Sequence, residues 1–329
     1  MLKVSVVIPA YNSMQYLPET LESVLNQTFT EFEVLIINDG SSDNTVEWAS
    51  AIKDSRVKLI SQENQGLPGA RNTGIYHAQA DYIAFLDADD LWEPTKLAKQ
   101  VSCLDKYPEV GLVHAWMALV DVGGKSTGRV LKSNVEGCAW EQIVQWNTIA
   151  CPSVMVRRCC FDRVGVFDRC LRSVEDWDMW IRIAVEYPLA VIKEPLAYYR
   201  QVPNSMSKNC QVMEEAFHQV IEKTFQSAPS ETWYLKNRSY SYANLCLAWK
   251  ALQSSNNYKL AIHYRSLAVA HNSQTRYSRE YIRLSLAIAA LQLFGFDGYS
   301  KLLKLTYALR RRISNVTRDA KIVEDTHSV

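Results

Sequence analysis

No stretch of the 329-residue sequence stays apolar for the roughly 18 residues that a membrane-spanning helix needs. The nearest, YIRLSLAIAALQLFGF at 281–296, carries Arg283 and Gln292 and reads as a core helix, so an integral membrane protein is not expected. Glycine (12) and proline (10) are scarce, which excludes collagen-like and low-complexity chains. Net charge is nearly absent. Lys plus Arg (36) against Asp plus Glu (35) leaves +1, too little for a field that would draw nucleic acid. The eight cysteines include no CxxC pair; only Cys159 and Cys160 are close, and vicinal cysteines lack zinc-site spacing. The opening MLKVSVVIPAYN has no signal-peptide pattern, and the thiols read as reduced, in a cytoplasmic protein. Walker A and GxGxxG loops are also missing, which disfavours P-loop and dinucleotide enzymes.

What is present is material for a sizeable core: 48% apolar and 22% charged residues, in a chain long enough for a main domain plus a smaller unit. Short continuous apolar runs recur at 4–9 (VSVVIP), 32–37 (FEVLII), 57–61 (VKLIS) and 82–86 (YIAFL), as in strands buried on both faces. Between them lie segments of helical length at 14–27, 43–54 and 68–80, with Pro68 suited to a first turn. The alternation predicts an open α/β sheet with helices on both sides. Further strands are expected at 111–122, 153–158 and 190–200. From about 210 the pattern becomes helical, and 242–272 reads as a hairpin broken at SSNN, either a tetratricopeptide-like unit or a generic helix pair. The segment 301–318 alternates apolar residues with Lys301, Lys304, Arg310, Arg311, Arg312 and Arg318; such a helix suits either an anionic lipid surface or solvent.

In an open parallel sheet, ligands bind beyond the carboxyl ends of the strands. Four such places carry chemistry. After the first strand, PAYN offers Pro9 and Tyr11 to frame a flat ring, and Asn12 to start a helix. After the second, NDGSSDNT contains Gly40 for a tight turn, Ser42 or Asp43 to cap a helix, and Asp39, which capping does not require. A carboxylate at Asp39 can accept the ring N–H of a uracil. After the third, ENQGLPGARNTGI presents Arg71, for a base, a phosphate or a neighbouring acid. After the fourth come Asp87, Asp89 and Asp90. One aspartate can cap a helix starting near Glu93 and Pro94; three repel one another unless a cation neutralises them. Mg²⁺ or Mn²⁺ held by few carboxylates completes its shell with phosphate oxygens and water, which points to a diphosphate substrate.

Downstream, SVEDWDMWIRIAV places Trp177, Trp180, Ile181 and Ala184 on one helical stripe, with Glu175 and Asp176 at the helix start and Asp178 four residues before Arg182. In order, VSVVIPAYN, VLIINDGSSDNT, GLPGARNTGI, YIAFLDADD, EDWDMWIRI and YYRQVPNSMS resemble the motif series of family 2 glycosyltransferases over residues 2–208. The resemblance implies a GT-A fold over 1–208, a mixed, mostly parallel sheet flanked by helices. A helical region would follow over 209–300, and a basic tail over 301–329. It also implies a nucleotide-sugar donor, most often UDP-linked, with Mn²⁺ or Mg²⁺. By that resemblance Asp39 reads the base and Arg71 helps hold the nucleotide. Asp87 would lie near the ribose, Asp89 on the metal, and Asp90 beside it. EDWDMW resembles the ExDxW region, making Asp176 the general base, with Glu175 and Trp180 supporting it. Many relatives read Tyr-Arg-x-His where this chain has Tyr199, Arg200, Gln201 and Val202; Val202 cannot ligate, so either the metal is held more weakly or Arg200 carries more of the diphosphate contact. The QxxRW signature of processive synthases is missing.

The expected activity is therefore inverting transfer of one sugar to a glycan or lipid-linked acceptor in surface polysaccharide or glycolipid synthesis. It would take place in the cytoplasm, or at the inner face of the plasma membrane through 301–318. The alternative is a non-catalytic nucleotide-sugar-binding or scaffold protein that works through its helical region. A nucleotidyltransferase is disfavoured, because the first strand is not followed by a basic, glycine-rich loop.

Overall fold

The computed structural model describes residues 2–202, 210–254, 257–295, 298 and 301. In chain order the first half contains β1 (Val4–Ala10), α1 (Leu17–Leu25), β2 (Phe32–Asp39), α2 (Thr45–Ser50), β3 (Val57–Gln62), α3 (Gly66–His77) and β4 (Tyr82–Phe85). Next come β5 (Leu91–Trp92), α4 (Lys96–Lys106), β6 (Leu112–Val120), β7 (Ser126–Leu131), α5 (Trp140–Ile143), β8 (Met155–Arg157) and α6 (Arg158–Val164). The remainder is α7 (Glu175–Glu186), β9 (Leu189–Arg200), α8 (Cys210–Ser227), α9 (Tyr234–Ser254), α10 (Tyr258–His271) and a last helix at 279–295.

One mixed sheet runs β3-β2-β1-β4-β8-β6-β9-β5, with β7 paired to β6. The pairs β1·β2, β1·β4, β2·β3 and β6·β9 are parallel, and β8 joins the two parallel blocks by antiparallel pairing to β4 and β6. This is the mixed, mostly parallel sheet that the sequence predicts. Every residue of β1, β2 and β4 is buried, as the unbroken apolar runs require, whereas β3 alternates in exposure because it forms the edge. Strand order reverses at β1, which lies between β2 and β4; that switch point opens a crevice above the carboxyl ends of the strands. Proline is tolerated in this central strand. Pro9 lies past the β1·β4 pairing, which ends at Val7 and Phe85, so no ladder bond needs its missing N–H.

Helix boundaries depart from the sequence reading. No helix begins at Glu93: Leu91 and Trp92 pair with Tyr198 and Ala197 as β5, and α4 starts at Lys96. Nor does Asn12 start α1, which begins at Leu17. The chain divides into two compact units, one ending at Tyr240 and the other beginning at Ser241, and not at residue 208. The reason is α8, which packs on α7. Phe217 meets Trp177 edge to face at 5.6 Å, and Lys223 Nζ bridges Asp168 (2.8 Å) and Asp178 (3.0 Å). In the second unit, Ser241 Oγ donates to the Ala268 carbonyl at 2.7 Å. The basic segment from 302 onward lies outside the described residues. No helix among the described residues is long and apolar enough to cross a membrane, and all eight cysteines are free thiols.

Helix α3 lies close against β1, because a Cβ on Gly74 would come within 2.2 Å of Val7 Cγ1. Gly74→Ala must therefore push the helix off the sheet. The expected cost is about 1–3 kcal/mol. Thermal unfolding of the variant should show a Tm lowered by several degrees.

Candidate active site

The three aspartates of the β4–β5 connection cap no helix: the cap of α4 is Thr95. Their backbone is held from two sides. Thr20 Oγ1, on α1, donates to the carbonyls of Ala88 and Asp90, both at 2.9 Å, and Arg200 Nε donates to the Asp89 carbonyl at 2.8 Å. Asp90 is fully buried; its Oδ1 accepts from the Arg200 amide at 2.9 Å, and its Oδ2 has no partner. Burial, then the charge of Asp89, pushes the Asp90 carboxyl well above the usual carboxylate range. Burial, then the charge of Asp87, raises Asp89 to about 6.

Arg71, on α3, joins this cluster to α7. Its side chain is buried; one terminal nitrogen donates to Glu175 Oε1 at 2.5 Å and the other to Asp87 Oδ1 at 2.7 Å. The guanidinium also lies over the Phe167 ring, 5.5 Å from its centroid. Of the partners open to Arg71 in the sequence, the neighbouring acids are the ones it takes.

Helix α7 places Trp177, Trp180, Ile181 and Ala184 in the core, as its spacing predicts. It is entered through Val174, which sits in the left-handed region at φ 51°, a strained conformation for a β-branched residue. Glu175 is taken up by Arg71, and the next carboxylate, Asp176, is bonded to neutral donors instead. Asp176 Oδ1 accepts from the Trp177 amide at 2.7 Å and from Asn147 Nδ2 at 3.0 Å. Burial, followed by the charge of Glu175, raises its carboxyl to about 7, with Arg71 opposing.

At the far side of the crevice, Asp39 ends β2 and is nearly buried. Its Oδ1 accepts from Gln62 Nε2 at 2.7 Å and from the Gln65 amide at 2.8 Å. Gly40 follows at φ 76° with Asn64 packed against it, so the turn has no room for a side chain. Asn12, at φ 48°, accepts from the amides of Ser42 (2.8 Å) and Asp43 (3.3 Å) and ties the first two loops together. Asp43 Oδ1 accepts from the Thr45 amide at 3.1 Å, at the start of α2.

Two expectations change. Pro9 is buried within β1, so its ring cannot frame a ligand; Tyr11 beside it is 56% exposed and open. Arg200 is also buried, and its nitrogens are taken by Asp89, Asp90, the Val122 carbonyl (2.9 Å) and Glu19 (2.7 Å), with Tyr16 stacked on it at 5.0 Å. It buttresses the aspartate loop from below and does not reach for a diphosphate. Thr20, Glu19 and Asn147 escaped the sequence reading, since each acts across a gap of 29 to 181 residues that no local pattern reveals.

Among the described residues no trio of His, Cys, Asp or Glu forms a ready protein cage for a metal ion. The donor set nevertheless fits a hard divalent cation. Asp87, Asp89 and Asp90 crowd negative charge, Asp90 has an orphaned oxygen, and burial, then neighbouring carboxylates, disfavours the ionised forms of Asp89 and Asp90 until a cation is present. Mg²⁺ or Mn²⁺ needs only one or two protein carboxylates when phosphate and water supply the rest.

The sequence profile described as Glycosyl transferase family 2 matches residues 5–144. An uncharacterized glycosyltransferase of Methanocaldococcus jannaschii is 32% identical over 212 residues, covering 61% of this chain and 71% of that protein. The Escherichia coli protein named UDP-Glc:alpha-D-GlcNAc-diphosphoundecaprenol beta-1,3-glucosyltransferase WfgD is 42% identical over 104 residues, 31% of this chain and 41% of that one. The chain spans only 29% to 33% of the length of three larger relatives from Rickettsia. A solved structure of the mannosyltransferase PcManGT from Pyrobaculum calidifontis, in complex with GDP-Man and Mn²⁺, superposes with a TM-score of 0.59. It is 20% identical and covers 95% of this chain and 87% of that one, a likeness of fold.

Removing one partner from a buried ion pair leaves an uncompensated charge, at a cost of about 3–5 kcal/mol. Arg71→Met, which keeps the volume and strands both carboxylates, should therefore lose stability of that order in urea titration, whereas Lys193→Met at its exposed pair with Glu136 should lose less than about 1 kcal/mol.

Proposed function

We propose that this chain, which belongs to glycosyl transferase family 2, moves one sugar from a nucleotide-diphosphate donor to an acceptor hydroxyl, with inversion at the anomeric carbon. The observation that carries the reading is the Arg71 bridge, which brings the aspartate loop and the base-bearing end of α7 to one crevice. In this reading Asp39 receives a base N–H on the carboxylate oxygen that Gln62 and Gln65 leave free, and the exposed Tyr11 covers a ring. Asp87 faces the ribose, and Asp89 is the carboxylate best suited to a divalent ion; when bound, that ion supplies positive charge to the departing diphosphate. Its name makes WfgD a UDP-glucose enzyme with a lipid-diphosphate-linked acceptor, which favours a UDP-sugar and a glycan or lipid-linked acceptor here.

Asp176 is the base. With Oδ1 held by two donors, Oδ2 takes the proton of the acceptor hydroxyl as that oxygen attacks. A group that titrates near 7 is ionised enough to accept a proton and basic enough to hold it. Because attack is a single displacement opposite the leaving group, an α-linked donor gives a β-linked product.

The test is nucleotide release from a panel of UDP-, GDP- and dTDP-sugars, with Mn²⁺ or EDTA. Release from one donor should require the metal, fall by more than about 100-fold in Asp176→Asn, and vanish in Asp89→Ala. The base must be ionised to work, so activity should rise with pH through about 7 and be lost below it. Metal-dependent UDP binding with no turnover for any donor or acceptor would instead favour the binding-protein reading.

A further inference from the structure

We propose that Asn147 is a positioning residue for the Asp176 base, a role that rests on the transfer reaction above. Its amide Nδ2 donates to Asp176 Oδ1 at 3.0 Å, on the same oxygen that the Trp177 amide holds at 2.7 Å. Two donors on one oxygen fix the carboxylate plane. The other oxygen, Oδ2, has no hydrogen-bond partner among the described residues, and it is the one left to meet a substrate hydroxyl.

The amide is committed to this task at a cost. Asn147 Oδ1 is buried and makes no hydrogen bond, so the side chain satisfies the carboxylate and leaves its own carbonyl oxygen unpaired. A buried unpaired acceptor costs about 1–3 kcal/mol.

The segment that carries Asn147 is fixed by α7 itself. Trp177 Nε1 donates to the Ile143 carbonyl at 2.7 Å and Trp180 Nε1 to the Ile149 carbonyl at 3.2 Å, so the two indoles clamp the chain on either side of Asn147. Ser239 Oγ adds a bond to the Val144 carbonyl at 2.8 Å. One helix thus supplies the base and anchors the loop that aims it. The charged and titratable groups around Asp176 are Glu175 on its own helix, Arg71 on α3 and Asp87 after β4, with the buried Cys151 thiol beside Arg71. Asn147 is the neutral donor among them. Because it bonds to the ionised form, it holds the base ready against the burial and the Glu175 charge that favour protonation.

The test compares the parent chain with Asn147→Ala, each with and without Asp176→Asn. The ¹³C signal of the Asp176 carboxyl, assigned by its loss in Asp176→Asn, gives the pKa without any turnover. In Asn147→Ala that pKa should rise by about one unit, a tenfold gain in proton affinity. With the donor found above, kcat should fall at least about tenfold and its acid limb should move up in pH, while metal-dependent UDP affinity stays within about twofold. In the Asp176→Asn background, Asn147→Ala should have almost no further effect on kcat, since its target is gone. An unchanged carboxyl pKa, or equal losses in both backgrounds, overturns the proposal. A shifted pKa in a parent that turns over no donor leaves Asn147 holding Asp176 and defeats the transferase reading instead.

Discussion

A single buried guanidinium holds the site together. Arg71 lies between Asp87 and Glu175, which stand 16 and 104 residues away in sequence, and its fork reaches one carboxylate with each terminal nitrogen. Burying that charge is expensive unless it is paired on both sides, so α3, the loop after β4 and the start of α7 are bound to one another by the penalty of separating them. The packing beneath is consistent with this. Phe167 carries the guanidinium on its face and meets Phe85 and Trp180 edge to face, which leaves Arg71 little freedom to swing away.

With Arg71 consumed by two acids, the crevice keeps an excess of negative charge. Asp89, Asp90 and Asp176 all hold their protons more tightly than free carboxyls, in each case because burial comes first and a neighbouring carboxylate second. On the proposed transfer reaction these shifts have separate uses: near Asp89 the excess would suit a cation, and at Asp176, which Asn147 touches, it would suit a base working near neutral pH. The second buried arginine, Arg200, with Thr20 bonds to the backbone carbonyls of the aspartate loop, and its charge opposes the upward shift of Asp89 and Asp90.

Most of the sheet was legible in the sequence, because a strand covered on both faces is apolar at most positions, and β1, β2 and β4 are, apart from Ser5 and Glu33, which bond to each other, and the Asn38 and Asp39 end of β2. The stripe of α7 was legible for a similar reason, since its spacing matches one buried face. The carboxylates of the crevice stood out as more acids than capping could explain. Misreadings gathered where long-range pairing overrides local preference. Leu91 and Trp92 look like the approach to a helix but are captured by β9, and Pro9 and Arg200, which look available in a list of residues, are enclosed by the fold.

Periodicity and composition by themselves therefore determined the α/β architecture, the run of strands and the end of the sheet where ligands are expected; it was the resemblance to family 2 glycosyltransferases that singled out Asp176, Asp87 and Asp89. Periodicity and composition could do so because burial imposes a pattern on every few residues. Only the tertiary structure decided which acids Arg71 neutralises, that Arg200 is a buttress, that α8 belongs with the sheet domain, and that Asn147 bonds to Asp176. Those pairings join residues 16 to 111 positions apart, and a hydrogen bond or ion pair leaves no trace in the sequence until the chain has closed the loop between its partners.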